Sequence, residues 1–335
     1  MKTPPAISLP QGVRDILPDE ARSIALIESK ILSVFERYGF KRVITPLLEY
    51  VDVLSLGMGE GLKERVLKFI DPSTGKVIAI RPDITPQIAR VAATRMRDYP
   101  LPLKLCYNES VLRYHEVRDG KSTEVRQAGA EYISKASSPQ ADAEMITMAV
   151  IALREAGLKA FKIDIGDVGF LSAVIDGLGI EAADQGRVKE AIAIKDASGL
   201  ETLLDGLGKK VNRDDKKLLL NLTAFYGEDE VIRKAAEATK NNVALNALKN
   251  LQKVVDIIAA NGFKDCITVD LGEVRGFDYY TGIIFEGFAA GVGKSILNGG
   301  RYDNLLARYG YNAAATGLAF NVENIIAALE RNPAA

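Results

Sequence analysis

The sequence is short of the residues that most metal and nucleophile chemistry needs. It has one histidine, His115, and two cysteines, Cys106 and Cys266, far apart in the chain. A single histidine excludes a histidine-rich metal site and the HExxH pair of a zinc protease, and any Ser-His-Asp triad would have to use His115. Two distant cysteines exclude a disulfide framework and a cysteine-rich zinc centre. Neither sign of charge is in excess: 43 Lys and Arg stand against 44 Asp and Glu, a net charge of −1. That balance argues against a strongly basic, charge-driven nucleic-acid binder, although a local patch can hide in a balanced total. No run approaches the roughly 18 consecutive apolar residues of a membrane span. The Pro-rich start, Met1 to Pro10, has no apolar stretch of signal-peptide length. The expectation is a soluble, cytoplasmic protein with no metal and no cofactor.

What is present is ordinary globular material, 335 residues of which 47% are hydrophobic. At roughly 150 residues per domain this suggests about two domains. Asp19 to Gly39 reads as an amphipathic helix, with Ile24, Ile27, Ile31, Val34, Phe35 and Tyr38 at helical spacing. Val43 to Thr45 reads as a strand ended by Pro46. Val66–Ile70 and Lys76–Ile80 flank a turn sequence, a hairpin signal. Thr85 to Arg97 reads as a helix, Leu103–Arg113 and Glu124–Ser134 as strands around a polar loop, and Ala141 to Ala156 as a helix closed by Gly157. Phe161 to Gly166 is a further strand.

From about 170 to 262 strand patterns vanish and short helices follow, broken at Gly199, Gly208, Gly227 and Asn241-Asn242. Strands return at Cys266–Leu271, Tyr279–Phe288 and Lys294–Leu297, and a last helix runs from Phe320 to Arg331. The pattern predicts an α+β core over 1–169 and 263–331, interrupted by a mostly helical insertion over 170–262.

Gly291-Val292-Gly293-Lys294-Ser295 looks like the end of a phosphate-binding P-loop. The full motif needs a glycine where Phe288 stands and a helix after Lys-Ser; a strand and turn sequence follows instead. The stronger signal is polar residues inside strand-like segments: Arg81 and Asp83 at a strand-to-helix junction, Arg113, Gln127 and Glu131, then Arg275 to Tyr280 and Gly299 to Asp303. Gln127 and Glu131 lie four apart on one strand and share a face. Ala128-Gly129-Ala130 between them is small and would leave room for a ligand. Such groups are costly to bury alone, and any one of them is as readily explained by internal ion pairs. As a set they suit a small zwitterion with a polar side chain.

Leu9 to Asp15, Arg81-Pro82-Asp83, the Arg113 to Glu131 hairpin, Arg275 to Tyr280 and Gly299 to Asp303 together resemble the core of histidyl-tRNA synthetase, over about residues 9 to 330. The resemblance implies a class II aminoacyl-tRNA synthetase fold, an antiparallel sheet flanked by helices. Gly39-Phe40 with Thr45-Pro46 resembles motif 1, the dimer-forming segment; Leu112-Arg113 to Glu131 resembles motif 2; Gly317 to Asn324 resembles motif 3. The departures concern ATP and tRNA. His115 replaces a motif 2 glutamate, Lys121 and Thr123 stand where motif 2 loop arginines are usual, and Asn324 replaces the arginine that holds ATP phosphate. The chain ends at Ala335, soon after motif 3, where a synthetase continues into its anticodon-binding domain.

The amino-acid pocket is kept. The resemblance implies histidine contacts at Asp83 (usually a glutamate), Thr85, Gln127, Glu131 and Tyr280, a carboxylate contact at Arg275, and further pocket positions at Arg113, Tyr279 and Tyr302. A histidine pocket without an ATP site is similar to the regulatory subunits of ATP phosphoribosyltransferase. That likeness implies a non-catalytic subunit, a homodimer through motif 1, a hetero-octamer with a short catalytic subunit, feedback inhibition by L-histidine, and no role for tRNA. The alternative is a free-standing ligase that makes histidyl-adenylate.

Overall fold

The computed structural model describes residues 9–10, 12–114, 123–222, 225–272 and 280–331. The first helix, α1 (Pro18–Arg37), forms for the reasons its sequence carries. Pro18 opens it, Asp19 and Glu20 oppose the helix dipole in the first turn, and Ile24, Ile27, Ile31, Val34 and Phe35 are all buried on one stripe. Gly39 leaves it at φ +85°, a conformation that favours glycine.

A short edge strand, β1 (Lys41–Arg42), follows and runs parallel to β5 (Leu103–Leu112). The strand expected at Val43–Thr45 therefore sits two residues earlier. Only the Val43 N–H continues the ladder, to Cys106 O at 2.9 Å, because Thr45 is already committed to side-chain partners. A small separate sheet holds β2 (Leu48–Tyr50), β3 (Lys68–Ile70) and β4 (Val77–Ile80), in the order β2-β4-β3. The β3–β4 hairpin matches the turn signal, and the Asp71 side chain organises the turn by accepting from Ser73 and Thr74. Two short helices, α2 (Val51–Leu56) and α3 (Glu60–Lys63), cover one side of this sheet, and α4 (Thr85–Thr94) leads back to the main body.

The main sheet has nine strands among the described residues, ordered β1-β5-β6-β12-β11-β10-β7-β9-β8. Its further members are β6 (Glu124–Ser134), β7 (Phe161–Asp167), β8 (Tyr226–Gly227), β9 (Ile267–Asp270), β10 (Ile283–Ala289), β11 (Leu297–Arg301) and β12 (Ala314–Asn321). Only β1–β5 and β7–β9 pair parallel; the other pairings are antiparallel, so the sheet is mainly antiparallel as expected. Two expectations change here. The third late strand starts at Leu297 and carries Gly299, Gly300 and Arg301 in its ladder. The segment before the last helix is the long strand β12, so α12 spans only Val322–Arg331.

On one sheet face lie α1, α5 (Pro139–Ala156) and α12. Cys106, Ala128, Ala130, Phe285, Leu318 and Phe320 point into that layer. The same buried layer continues without a break into α6 (Val168–Gly177), α7 (Ala182–Ala193), α8 (Ala197–Gly206), α9 (Arg213–Asn221), α10 (Glu230–Ala238) and α11 (Asn242–Ala260). Strand structure is not wholly lost there, since β8 pairs with β9. Gly199 marks a helix start rather than a break. It donates its N–H to the Asp196 cap at 2.8 Å, and a Cβ would lie 2.1 Å from the other Asp196 oxygen. The opposite sheet face packs Leu105, Tyr107 and Ile133 against Ile84, just before α4, and Ile88 within it, and then opens into a cavity. Among the described residues no helix is long and apolar enough to cross a membrane.

Candidate functional site

The cavity has a volume of about 740 Å³ and lies over β6, β12, β11 and β10. Strand alternation selects its floor. Gln127, Gly129 and Glu131 of β6 share one face, opposite Asn321, Ala319 and Gly317 of β12 in register, and Gly300 pairs with Gly317 from β11. Glycines are needed there for space. A Cβ on Gly317 would sit 1.6 Å from Glu131 Oε2, and one on Gly300 would sit 2.8 Å from the Tyr280 ring. The room expected beside Gly129 is already taken: Tyr107 lies where a Cβ would point, at 2.3 Å, while Ala128 and Ala130 face the helix layer.

Glu131 is the centre of the site and is 1% exposed. Its Oε1 accepts from Thr85 Oγ1 at 2.6 Å and from the Tyr107 hydroxyl at 3.4 Å, while its Oε2 accepts a very short bond from the Tyr302 hydroxyl. Burial pushes the Glu131 carboxyl up to about 8, and Asp83 nearby adds to the rise; the three hydroxyl donors pull it back in part. Thr85 comes from the first turn of α4, and Asp83 precedes it. Asp83 accepts from the Ile84 N–H at 2.9 Å and faces Arg113 at 3.7 Å. Burial raises Asp83 above the usual carboxylate range despite the Arg113 charge. Arg113 is braced by a 2.6 Å bond to Pro82 O, and Tyr280 closes one wall with its phenol raised by burial beside Asp83 and Glu131.

Gln127 is 7% exposed, lines the cavity, and its Oε1 has no hydrogen-bond partner among the described residues. A buried amide oxygen without a donor is costly, on the order of 1–3 kcal/mol. A ligand donor entering the cavity would remove that cost. Among the described residues, five carboxyl groups, Asp83, Glu124, Glu131, Glu286 and Glu323, line the cavity against three cations, Arg65, Arg113 and Lys294. The excess suits an ammonium group better than a polyphosphate. At the far end Asn324 donates its Nδ2 to Ser295 O at 2.7 Å, so this position braces the Gly291–Ser295 turn. Gly293, Lys294 and Ser295 line the cavity from a hairpin turn, with no helix behind them.

The structure thus gathers Asp83, Thr85, Arg113, Gln127, Glu131, Tyr280 and Tyr302 around one cavity. Arg275 and Tyr279, and also His115, lie outside the described residues. Two arginines from the sequence motifs turn away from it. Arg81 is 4% exposed and ties Thr45, Ser110 and Glu109 together; Arg301 pairs with Asp142 behind the sheet. Both are internal ion pairs. Tyr107 belongs to the site and was hidden in the sequence, where it continues the apolar alternation of Leu103 and Leu105. Gly317 carried a signal, as a glycine in the motif 3 segment, but its partner could not be read.

Comparison with known proteins gives this site a family. A family model described as histidyl-tRNA synthetase matches residues 12–325. The ATP phosphoribosyltransferase regulatory subunit of Geobacter sulfurreducens is 47% identical over 331 residues, covering 99% of this chain and 75% of that protein. That of Clostridium acetobutylicum is 38% identical, covering 96% of this chain and 79% of that protein. The chain belongs to the ATP phosphoribosyltransferase regulatory subunits. The chain spans about three quarters of the length of these relatives. Among solved structures, a Bacillus halodurans protein described as an ATP phosphoribosyltransferase regulatory subunit/histidyl-tRNA synthetase superposes with a TM-score of 0.90 at 29% identity, over 98% of this chain and 84% of that one. A Nostoc histidyl-tRNA synthetase, 22% identical with a TM-score of 0.82 over 97% of this chain and 76% of that one, shows the shared class II fold. The close relatives of the family are named as regulatory, not catalytic, subunits.

Proposed function

We propose that this chain senses L-histidine for a short ATP phosphoribosyltransferase catalytic subunit, activating that subunit and carrying its feedback inhibition in the first step of histidine biosynthesis, in the cytoplasm. The observation that carries the ligand is the pairing of an orphaned Gln127 oxygen with the hydroxyl-caged Glu131 in one acidic cavity. Carboxyl groups at Asp83 and Glu131 suit an ammonium or an imidazole N–H, and Gln127 and Tyr280 complete a polar lining. Arg275 would receive the ligand carboxylate, and Tyr279 would be a further pocket position. Histidine controls the enzyme only if it prefers one of two quaternary states of the complex; tight binding alone shifts nothing.

Self-association is part of this reading. One face of the small sheet carries Leu48, Tyr50, Ile78, Ile80 and Phe69 together by register, with Leu48, Tyr50 and Phe69 exposed. An apolar face of this kind beside the motif 1 segment supports a homodimer, on which catalytic subunits would assemble into a hetero-octamer. tRNA has no part in it.

The test is reconstitution with a short catalytic subunit from the same organism, ATP and phosphoribosyl pyrophosphate, titrating histidine. Activity that requires this chain and falls with histidine is the expected result, and Glu131→Ala should keep activation and lose the inhibition. The rival reading, a histidyl-adenylate-forming ligase, keeps Arg113 in its favour. It predicts histidine-dependent exchange of pyrophosphate into ATP, which Asn324 and the acidic lining argue against.

A further inference from the structure

Three acidic and basic side chains that do not line the cavity form a hydrogen-bonded cluster behind it. Arg301 ends β11 with its side chain on the helix face of the sheet, 5% exposed, and its neighbour Tyr302 points to the cavity. Arg301 Nε and Nη2 donate to the two oxygens of Asp142 at 3.0 and 2.8 Å, a bidentate pair with a carboxylate that is itself 1% exposed on α5. Arg301 Nη2 also reaches Ser138 O at 3.2 Å, and Nη1 donates to Asp303 Oδ1 at 3.1 Å. Asp303 in turn accepts the Ala315 N–H at 3.0 Å.

The main chain on either side is held as well. Tyr302 N–H donates to Ala315 O at 2.8 Å, Thr281 N–H donates to Arg301 O at 2.7 Å, and Asp303 N–H donates to Thr281 Oγ1 at 3.0 Å. Gly282 leaves the room that the Arg301 stem fills, since a Cβ there would lie 3.3 Å from it. The two residues flanking Tyr302, and the residue following Tyr280, are thereby locked to one another and to α5. Few rotations remain for the Tyr302 ring, and its hydroxyl meets Glu131.

We propose that Asp142, Arg301 and Asp303 are positioning residues: a clasp behind the sheet that aims the Tyr302 hydroxyl at Glu131 and so sets the amino-acid affinity of the cavity. The affinity half of this statement rests on the histidine reading given above; the aiming half does not.

The test is a double-mutant cycle of Asp142→Asn and Tyr302→Phe on the full chain, with two readouts. The first needs no ligand: carbon-13 NMR of glutamate-labelled protein follows the titration midpoint of the Glu131 carboxyl. Removing a hydroxyl donor from a carboxylate raises its midpoint, so Tyr302→Phe raises it. If Asp142 acts through Tyr302, Asp142→Asn raises it too, and the double variant matches Tyr302→Phe alone. If Asp142 acts only as a nearby negative charge, its removal lowers the midpoint instead. An unchanged or lowered midpoint in Asp142→Asn overturns the clasp, and so does an additive double variant.

The second readout is calorimetric histidine affinity, expected to weaken about tenfold in either single variant and no further in the double. Wild-type protein that binds no histidine, with the midpoints moving as stated, overturns the ligand reading and leaves the clasp standing. Should Asp142→Asn melt too low to study, Asp303→Asn, whose side chain is 29% exposed, carries the same predictions.

Discussion

A single carbon added at Gly317 would lie 1.6 Å from Glu131 Oε2 and 2.9 Å from the Tyr302 hydroxyl. Gly317→Ala must therefore displace Glu131 or part β6 from β12. Overpacking of this kind costs about 1–3 kcal/mol. A lower melting temperature together with lost histidine binding is expected, read by thermal denaturation and calorimetry. Glu131 itself makes stability depend on pH. Its folded carboxyl titrates near 8, above its ordinary 4.5, so between those values the native state holds more protons than the unfolded chain. Stability from this group is full below about pH 4.5 and is lost as pH rises through 8, at up to about 1.4 kcal/mol per pH unit. Asp167, raised to about 7 by burial, adds a fall of the same sign. Glu131→Gln should flatten the slope of melting temperature against pH between 5 and 8 and leave the Asp167 part. An unaltered slope would show that Glu131 titrates as an ordinary surface acid.

At the scale of elements, α4 is what joins the cavity to the small sheet. Its start delivers Asp83 and Thr85, and Gln87, two residues after Thr85, is fully buried. Gln87 accepts from Thr45 Oγ1 at 2.7 Å and donates to Pro46 O and Glu49 at 2.8 Å; Arg90, a turn later, pairs with Glu49. Arg81 adds bonds to Thr45 O, Ser110 O and Glu109. Removing that guanidinium takes a donor from a carboxylate that is 18% exposed and from two carbonyls. Arg81→Met should cost about 3–5 kcal/mol in denaturant unfolding, the range for breaking one side of a buried pair. These bonds also explain an error of sequence reading. Thr45 alternates like a strand residue, yet its side chain and carbonyl serve Gln87 and Arg81, so the strand ends before it. Helices were more legible: α1 shows its buried stripe because five apolar residues recur at its period, and α5 shows its glycine stop.

At the scale of the whole molecule, one surface stands apart. Leu48, Tyr50 and Phe69 are exposed on one face of the small sheet, and Ile44 and Leu47 are exposed in the segment that leads into it. Two charges on that face, Leu48→Asp with Phe69→Asp, should convert a dimer to a monomer in sedimentation velocity without unfolding it, because neither side chain belongs to a buried core. If the doubly substituted chain sediments as the wild type does, the dimer uses another face. Histidine binding to the monomer would show that one chain suffices for the site.

The sequence by itself determined the kind of fold and most of the cavity's chemistry. Its motifs stand in order from Leu9 to Asn324, and seven of the expected residues meet around one cavity. They could be read because each belongs to a motif with its own local spacing. What the tertiary structure decided was which charged groups face that cavity. Arg81 and Arg301 sit in motifs as suggestive as those of Asp83 and Tyr302, yet both point behind the site. Strand alternation sends neighbours to opposite faces, and only pairing register and the packing of α5 say which face is which. Tyr107, Gly317 and the Gln127 oxygen left without a donor emerged for the same reason: their roles depend on contacts between strands distant in the chain, which no local pattern records.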